Sequence, residues 1–200
     1  MRFTGLLLAA GRSRRMGQTK QLLPWPYPDG ESTLLATSFD SLAQACREMV
    51  VVMGHDADLI QEALGTRQYT AVLSDPDAEM SHSFQRGLNA IRQTNNTDRV
   101  LLCPGDHPFI TRKVLLSLVE KSSSDPLHVI VPRYQNKGGH PTAIPNSLFQ
   151  ELSETDLSGG LNRWFKNHAN QITYLDVADP AIIQDIDSPS DLGKTNHRRL

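Results

Sequence analysis

Leu6-Leu7-Leu8-Ala9-Ala10-Gly11-Arg12-Ser13-Arg14-Arg15-Met16-Gly17-Gln18-Thr19-Lys20 is the stretch on which the reading of the fold turns. A buried strand ends in two alanines and a glycine, small residues that let backbone approach a ligand closely and offer N–H groups with no side chain in the way. Three arginines and a lysine then crowd into nine residues. Such a cluster repels itself unless an anion neutralises it, and a triphosphate suits it. A solvated basic turn is the alternative; the position at the end of the first buried strand favours phosphate. The spacing, Gly11, five residues, Gly17, two residues, Lys20, is neither a Walker loop nor the GxGxxG of a dinucleotide site.

Working outward, short apolar runs at 3–9, 48–53, 69–73, 99–103, 128–132 and 172–177 read as strands, valine-rich and bounded by Gly, Pro or Asp. Helical spacing appears at 32–47, 57–64, 83–92 and 111–121, the last opened by Thr111. This alternation predicts an α/β fold with a mostly parallel sheet, covered on both faces and holding ligands at the carboxyl ends of its strands. The Gly- and Pro-rich region 136–160, with a short helix at 147–152, reads as a small substrate-side insertion rather than another βα unit. One domain is expected over 1–193, with a polar tail at 194–200.

The chain has 200 residues, 38% hydrophobic and 21% charged, with net charge −2. That excludes a disordered chain and argues against a protein that coats nucleic acid. No run approaches the ~18 apolar residues of a membrane helix. The run Leu6 to Ala10 is too short for a signal-peptide core and leads into arginines. Cys46 and Cys103 form no CxxC, which excludes a disulfide framework and fits a reducing cytoplasm.

Two segments carry carboxylates suited to a metal. Leu101-Leu102-Cys103-Pro104-Gly105-Asp106-His107-Pro108 runs from a strand into a turn with Asp106 at its tip. An aspartate there holds Mg²⁺, which takes a few protein oxygens plus phosphates and waters, or it caps the following turn. In Asp185-Ile186-Asp187-Ser188-Pro189-Ser190-Asp191-Leu192 one of the first two aspartates is expected to face the site. Ser188 and Asp191 also suit the opening of a short helix, with Pro189 in its first turn.

The first loop, in the form LAAGRSxRMGxxK, resembles the signature loop of the MobA-like nucleotidyltransferase family, and most of all its molybdenum cofactor cytidylyltransferases. The stretch Pro104 to Pro108 resembles the family's PGDMP, and the stretch from Asp185 resembles its DIDTPEDL. The three motifs stand in the family's order, so the resemblance spans nearly the whole chain. It implies a Rossmann-like sheet of the nucleotide-diphospho-sugar transferase type. It also implies Mg²⁺-dependent transfer of a nucleoside monophosphate from an NTP to a phosphorylated acceptor, with molybdopterin as the acceptor. Ala10 favours CTP over GTP. Carried over residue by residue, Arg15, Lys20 and Asp106 are catalytic. Leu8, Ala9, Ala10, Gly11, Arg12, Lys20, Ser81 and Ser83 bind nucleotide. Asp106 and Asp187 hold Mg²⁺, with Asp185 as the alternative to Asp187.

Ser83 is equally suited to be a plain helix cap. Gly139, His140 and Pro141 resemble the acceptor-side stretch, or form a loop turn. Two departures stand out: Glu79 replaces a family glycine, and the 155–162 segment lacks an arginine in register. They leave room for a sugar- or polyol-phosphate nucleotidyltransferase, or for a non-catalytic nucleotide-binding accessory of a molybdoenzyme client. Neither nucleic acid nor membrane is an expected partner.

Overall fold

The structure is a computed structural model and describes residues 1–13, 16–26, 30–94 and 96–193. The first apolar run becomes β1 (Phe3–Ala9), buried along its whole length. β2 (Pro24–Trp25) and β3 (Ser32–Thr33) pair as a small antiparallel ribbon leading into α1 (Leu34–Ala43). Then come β4 (Glu48–Met53), α2 (Ala57–Leu64), β5 (Thr70–Leu73), α3 (Met80–Thr94), β6 (Arg99–Pro104), α4 (Arg112–Ser124) and β7 (Val129–Tyr134). β8 (Lys137–Gly138), β9 (Thr142–Pro145), α5 (Phe149–Glu154), α6 (Leu161–Asn167), β10 (Ile172–Asp176) and α7 (Pro189–Gly193) complete the described elements. Both long sheet-covering helices that follow a threonine are capped by it: Thr33 Oγ1 accepts from the Ala36 N–H and Thr111 Oγ1 from the Val114 N–H.

The main sheet runs in the order β10-β7-β9-β6-β1-β4-β5, with β8 paired to β7. The pairs β1–β4, β1–β6, β4–β5 and β7–β10 are parallel, and β9 is antiparallel to both neighbours. Side chains alternate across this sheet, which splits the core in two. Leu7, Val51, Leu101 and Cys103 pack against Leu35, Phe39, Ile60 and Leu118 of α1, α2 and α4. Leu6, Leu8, Val50, Val52 and Leu102 pack on the other face against Phe84, Leu88, Leu152 and Trp164 of α3, α5 and α6. Helix α3 lies so close that a Cβ on Gly87 would meet Leu6 Cδ1 at 2.4 Å. Among the described residues, no helix is long and apolar enough to cross a membrane.

Region 136–160 is not an insertion. It supplies β9, the strand between β6 and β7, and α5, whose Phe149 and Leu152 enter the core. Four residues flanked by Pro141 and ending in Pro145 look like a loop because proline has no N–H for a ladder. Here Pro145 sits at the strand end, opposite Arg99. The tail 194–200 lies outside the described residues.

Arg99, at the amino end of β6, has no exposed surface. Its guanidinium donates to the carbonyls of His128 at 3.0 Å and Ala143 at 3.2 Å, and to that of Asp125. It thereby ties β6 to the end of α4 and to the strands on its other side. Replacing Arg99 with Met removes this donor from all three oxygens, which is expected to cost about 3 kcal/mol. The check is urea unfolding, with a lower midpoint at unchanged slope; an unaltered midpoint would contradict it. Lys is expected to recover only part of the loss, since an ammonium lacks the planar fork.

Candidate functional site

The carboxyl ends of β1 and β6 lie side by side, Leu8 opposite Pro104. The Gly105 N–H donates to the Leu8 carbonyl at 2.8 Å and pins the turn that carries Asp106. The Ile186 N–H donates to the Asp106 carbonyl at 3.2 Å, bringing the C-terminal segment to the same corner. A third small core of Met16, Leu23, Trp25, Leu34, Ile186 and Leu192, with Phe109 against it, holds these pieces together. Trp25 meets Phe109 edge to face at 5.4 Å, so its role is packing.

A cleft of about 780 Å³ opens over this corner. Leu8, Ala10, Gly11, Arg12 and Lys20 line one side. A Cβ built on Gly11 would meet no protein atom within 4 Å, so the space that this glycine keeps open belongs to the cleft. The loop is closed by Ser13, whose hydroxyl accepts from the Lys20 N–H at 3.1 Å and donates to Gln21 Oε1 at 3.0 Å. Ser13 adopts a positive φ of 49°, a conformation sparsely populated by non-glycine residues and often found at binding sites.

Lys20 Nζ lies 2.5 Å from Asp106 Oδ2 and 2.6 Å from Asp187 Oδ1. Burial works against the ammonium, but Asp106 and then Asp187 outweigh it and raise the lysine above its ordinary value. Burial likewise opposes the Asp106 carboxylate. The hydrogen bond and the electrostatic contribution of the adjacent His107, and then the Lys20 ammonium, overcome it and hold the carboxyl well below the usual range. Asp185 moves the other way, raised by burial and by repulsion from Asp187 and Asp106. Oxygen atoms of Asp106, Asp185 and Asp187 lie within 4.8 Å of one another. A carboxylate repelled by its neighbours marks a place short of positive charge, and three hard oxygen donors suit Mg²⁺ or Mn²⁺.

Both Asp185 and Asp187 thus reach the corner, where the sequence reading expected one. Residues two apart in a non-helical, extended segment share a side. Ile186 between them points the other way into the small core, only 2% exposed.

Ser83 lines the cleft and shares a hydrogen bond with Ser74 at 3.0 Å. Gly139 and His140 line its far wall, while Pro141 is buried behind them. Two expected residues are not brought to the cleft: Ala9 packs into the opposite core, and the Ser81 hydroxyl bonds Glu79. Arg15 lies outside the described residues. Sequence reasoning missed Asp77, which pairs with Arg12 at 2.6 Å. It also missed Ser13 and His107. Asp77 and Arg12 stand 65 residues apart with no local pattern linking them; PGDHP did show His107 beside Asp106.

The His140 Nδ1 is shut off from solvent. Burial, then the neighbouring His107, push the imidazole down to about 4. The unfolded chain takes up a proton near pH 6.5. Between about 6.5 and 4 the unfolded state therefore binds more protons at this position, and its contribution to stability falls as pH falls. His140→Phe is expected to flatten that part of the stability profile, followed by urea unfolding from neutral pH to about 4.5; an unchanged slope would contradict the enclosed neutral ring.

Residues 5–172 match the MobA-like NTP transferase domain. The chain belongs to that family. It is 25% identical over 190 residues to the molybdenum cofactor cytidylyltransferase of Escherichia coli, covering 93% of this chain and 91% of the relative. It is 29% identical over 198 residues to a probable molybdenum cofactor guanylyltransferase of Rhodopirellula baltica, covering 94% and 89%. The crystal structure of Rv0371C from Mycobacterium tuberculosis, in complex with manganese, shares the fold over the full length of both chains, with a TM-score of 0.79 at 23% identity. The MobA-like family therefore reaches across this α/β sheet and its first loop, and its named relatives include both cytidylyl and guanylyl enzymes.

Proposed function

We propose that this nucleotidyltransferase moves a nucleoside monophosphate from CTP to the phosphate of molybdopterin, with Mg²⁺, and releases pyrophosphate. The observation that carries this reading is the meeting of Lys20 with Asp106 and Asp187 beside the glycine loop. Support for the acceptor and for CTP comes from the cytidylyltransferase relative and from Ala10 in the loop.

An acceptor phosphate oxygen attacks the α-phosphorus while the bond to the bridging oxygen of pyrophosphate breaks. No covalent enzyme intermediate is needed; the chain contributes position and charge. Backbone N–H groups around Gly11 cradle the phosphates. Arg12, Arg15 and Lys20 offset the charge that grows on the leaving pyrophosphate. Asp106 and Asp187, with Asp185 beside them, hold the divalent ion. A bound Mg²⁺ neutralises phosphate charge and orients the triphosphate. Ser83 faces the nucleotide, and Gly139 and His140 the acceptor. The reaction belongs in the cytoplasm, where the two thiols stay reduced; burial raises both, Cys46 to about 12, which disfavours the thiolate.

The test is pyrophosphate release from CTP, GTP, ATP and UTP, each with molybdopterin, a sugar phosphate or a polyol phosphate. The expected result is release with CTP and molybdopterin. Release with a sugar or polyol phosphate alone would reassign the acceptor. Nucleotide binding without release on any acceptor would favour a carrier of nucleotide that serves a molybdoenzyme.

A further inference from the structure

The Asp106 carboxylate has its two oxygens engaged in different directions. Oδ2 faces Lys20 Nζ at 2.5 Å. Oδ1 lies 2.7 Å from His107 Nδ1. An ionised carboxylate only accepts hydrogen bonds, so this contact fixes the His107 tautomer: Nδ1 carries the proton and donates. The imidazole is 6% exposed. Its ring is held edge to face by His140 at 5.1 Å, with an interplanar angle of 80°. A largely buried donor, packed against a second ring, thus stands beside a carboxylate that could otherwise turn about its last bond.

We propose that His107 is the positioning residue that fixes Asp106 for the divalent ion. It occupies Oδ1 and leaves Oδ2, which Lys20 links to Asp187, for the ion. The inference rests on the metal role of Asp106 given above and adds a residue to it. It follows the general pattern in which ligating carboxylates are themselves hydrogen-bonded and loss of that partner weakens the metal site. His107 touches neither the metal position nor the phosphates in this account; it acts through Asp106.

Two substitutions separate positioning from packing, because they rank in opposite order under the two roles. His107→Met keeps the apolar bulk and removes the donor. His107→Asn loses bulk but sets an amide N–H where Nδ1 stood. Mn²⁺ alone is titrated into the wild-type chain and both variants by calorimetry, with melting temperature recorded for each. The expected result is about tenfold weaker Mn²⁺ binding in His107→Met, with His107→Asn within about threefold of wild type. In turnover assays the loss falls on the metal concentration for half-maximal rate rather than on KM for the nucleotide. If His107→Met binds Mn²⁺ as the wild type does, or binds it better than His107→Asn, positioning by His107 is overturned and the metal reading stands. If the wild-type chain itself binds no Mn²⁺, both fall together.

Discussion

Asp106→Ala is expected to lower metal-dependent turnover at least about a thousandfold, a loss of roughly 4 kcal/mol of transition-state stabilisation. The size follows from the number of tasks that meet at one side chain. Asp106 contacts Lys20, accepts from His107 and lies within 4.8 Å of the other two carboxylates. The fold should survive, since Asp106 belongs to none of the three apolar clusters, and both the Gly105–Leu8 bond of its turn and its backbone link to Ile186 remain. Asp106→Asn sharpens the test, because it keeps the shape and removes the charge. Both variants should show the wild-type circular dichroism spectrum, and both should lose turnover. Either one retaining a rate within tenfold of wild type would remove Asp106 from the mechanism.

Lys20→Met should have two effects of opposite sign. Turnover falls about a hundredfold, the usual scale for removing one well-placed group that stabilises developing charge. Binding of Mn²⁺ in the absence of nucleotide tightens, by about tenfold. The reason is that the Lys20 ammonium already neutralises Asp106 and Asp187 at 2.5 Å and 2.6 Å, and a cation entering the same corner must compete with it. A triphosphate would offer Lys20 another anionic partner and would leave the two carboxylates free to hold a divalent ion. A simple phosphate-binding lysine far from the carboxylates would show only the loss of rate. Mn²⁺ affinity that stays the same, or weakens, would therefore contradict the arrangement of these three groups even if activity were lost.

Much of this site was legible because its parts are local. Leu8-Ala9-Ala10-Gly11 ends a strand buried on both faces, and such a strand end in a parallel sheet is where ligands gather. Asp106 follows a strand through one turn, which a single short segment is enough to reveal. The pairing of Arg12 with Asp77 was not legible, since nothing in either segment encodes the other. Nor was the central place of β9: four residues bordered by prolines carry the composition of a loop, and the ladder to β6 that makes them a strand comes from far along the chain. For Asp185 the sequence did hold the answer. Residues two apart on an extended chain face the same way, and the buried Ile186 between the two aspartates is the sign of it. Family membership, read from the loop and the two aspartate segments together, agrees with the match over residues 5–172.

A metal-dependent nucleotide site at the carboxyl ends of β1 and β6 underlies each of these effects. Calorimetry with CTP, GTP, ATP and UTP, each with and without Mg²⁺, on the wild-type chain and on Asp106→Ala, tests it most directly. Mg²⁺-dependent binding of CTP that disappears in the variant is the expected result. Binding of none of the four nucleotides, with Mg²⁺ present and the chain folded, would contradict it.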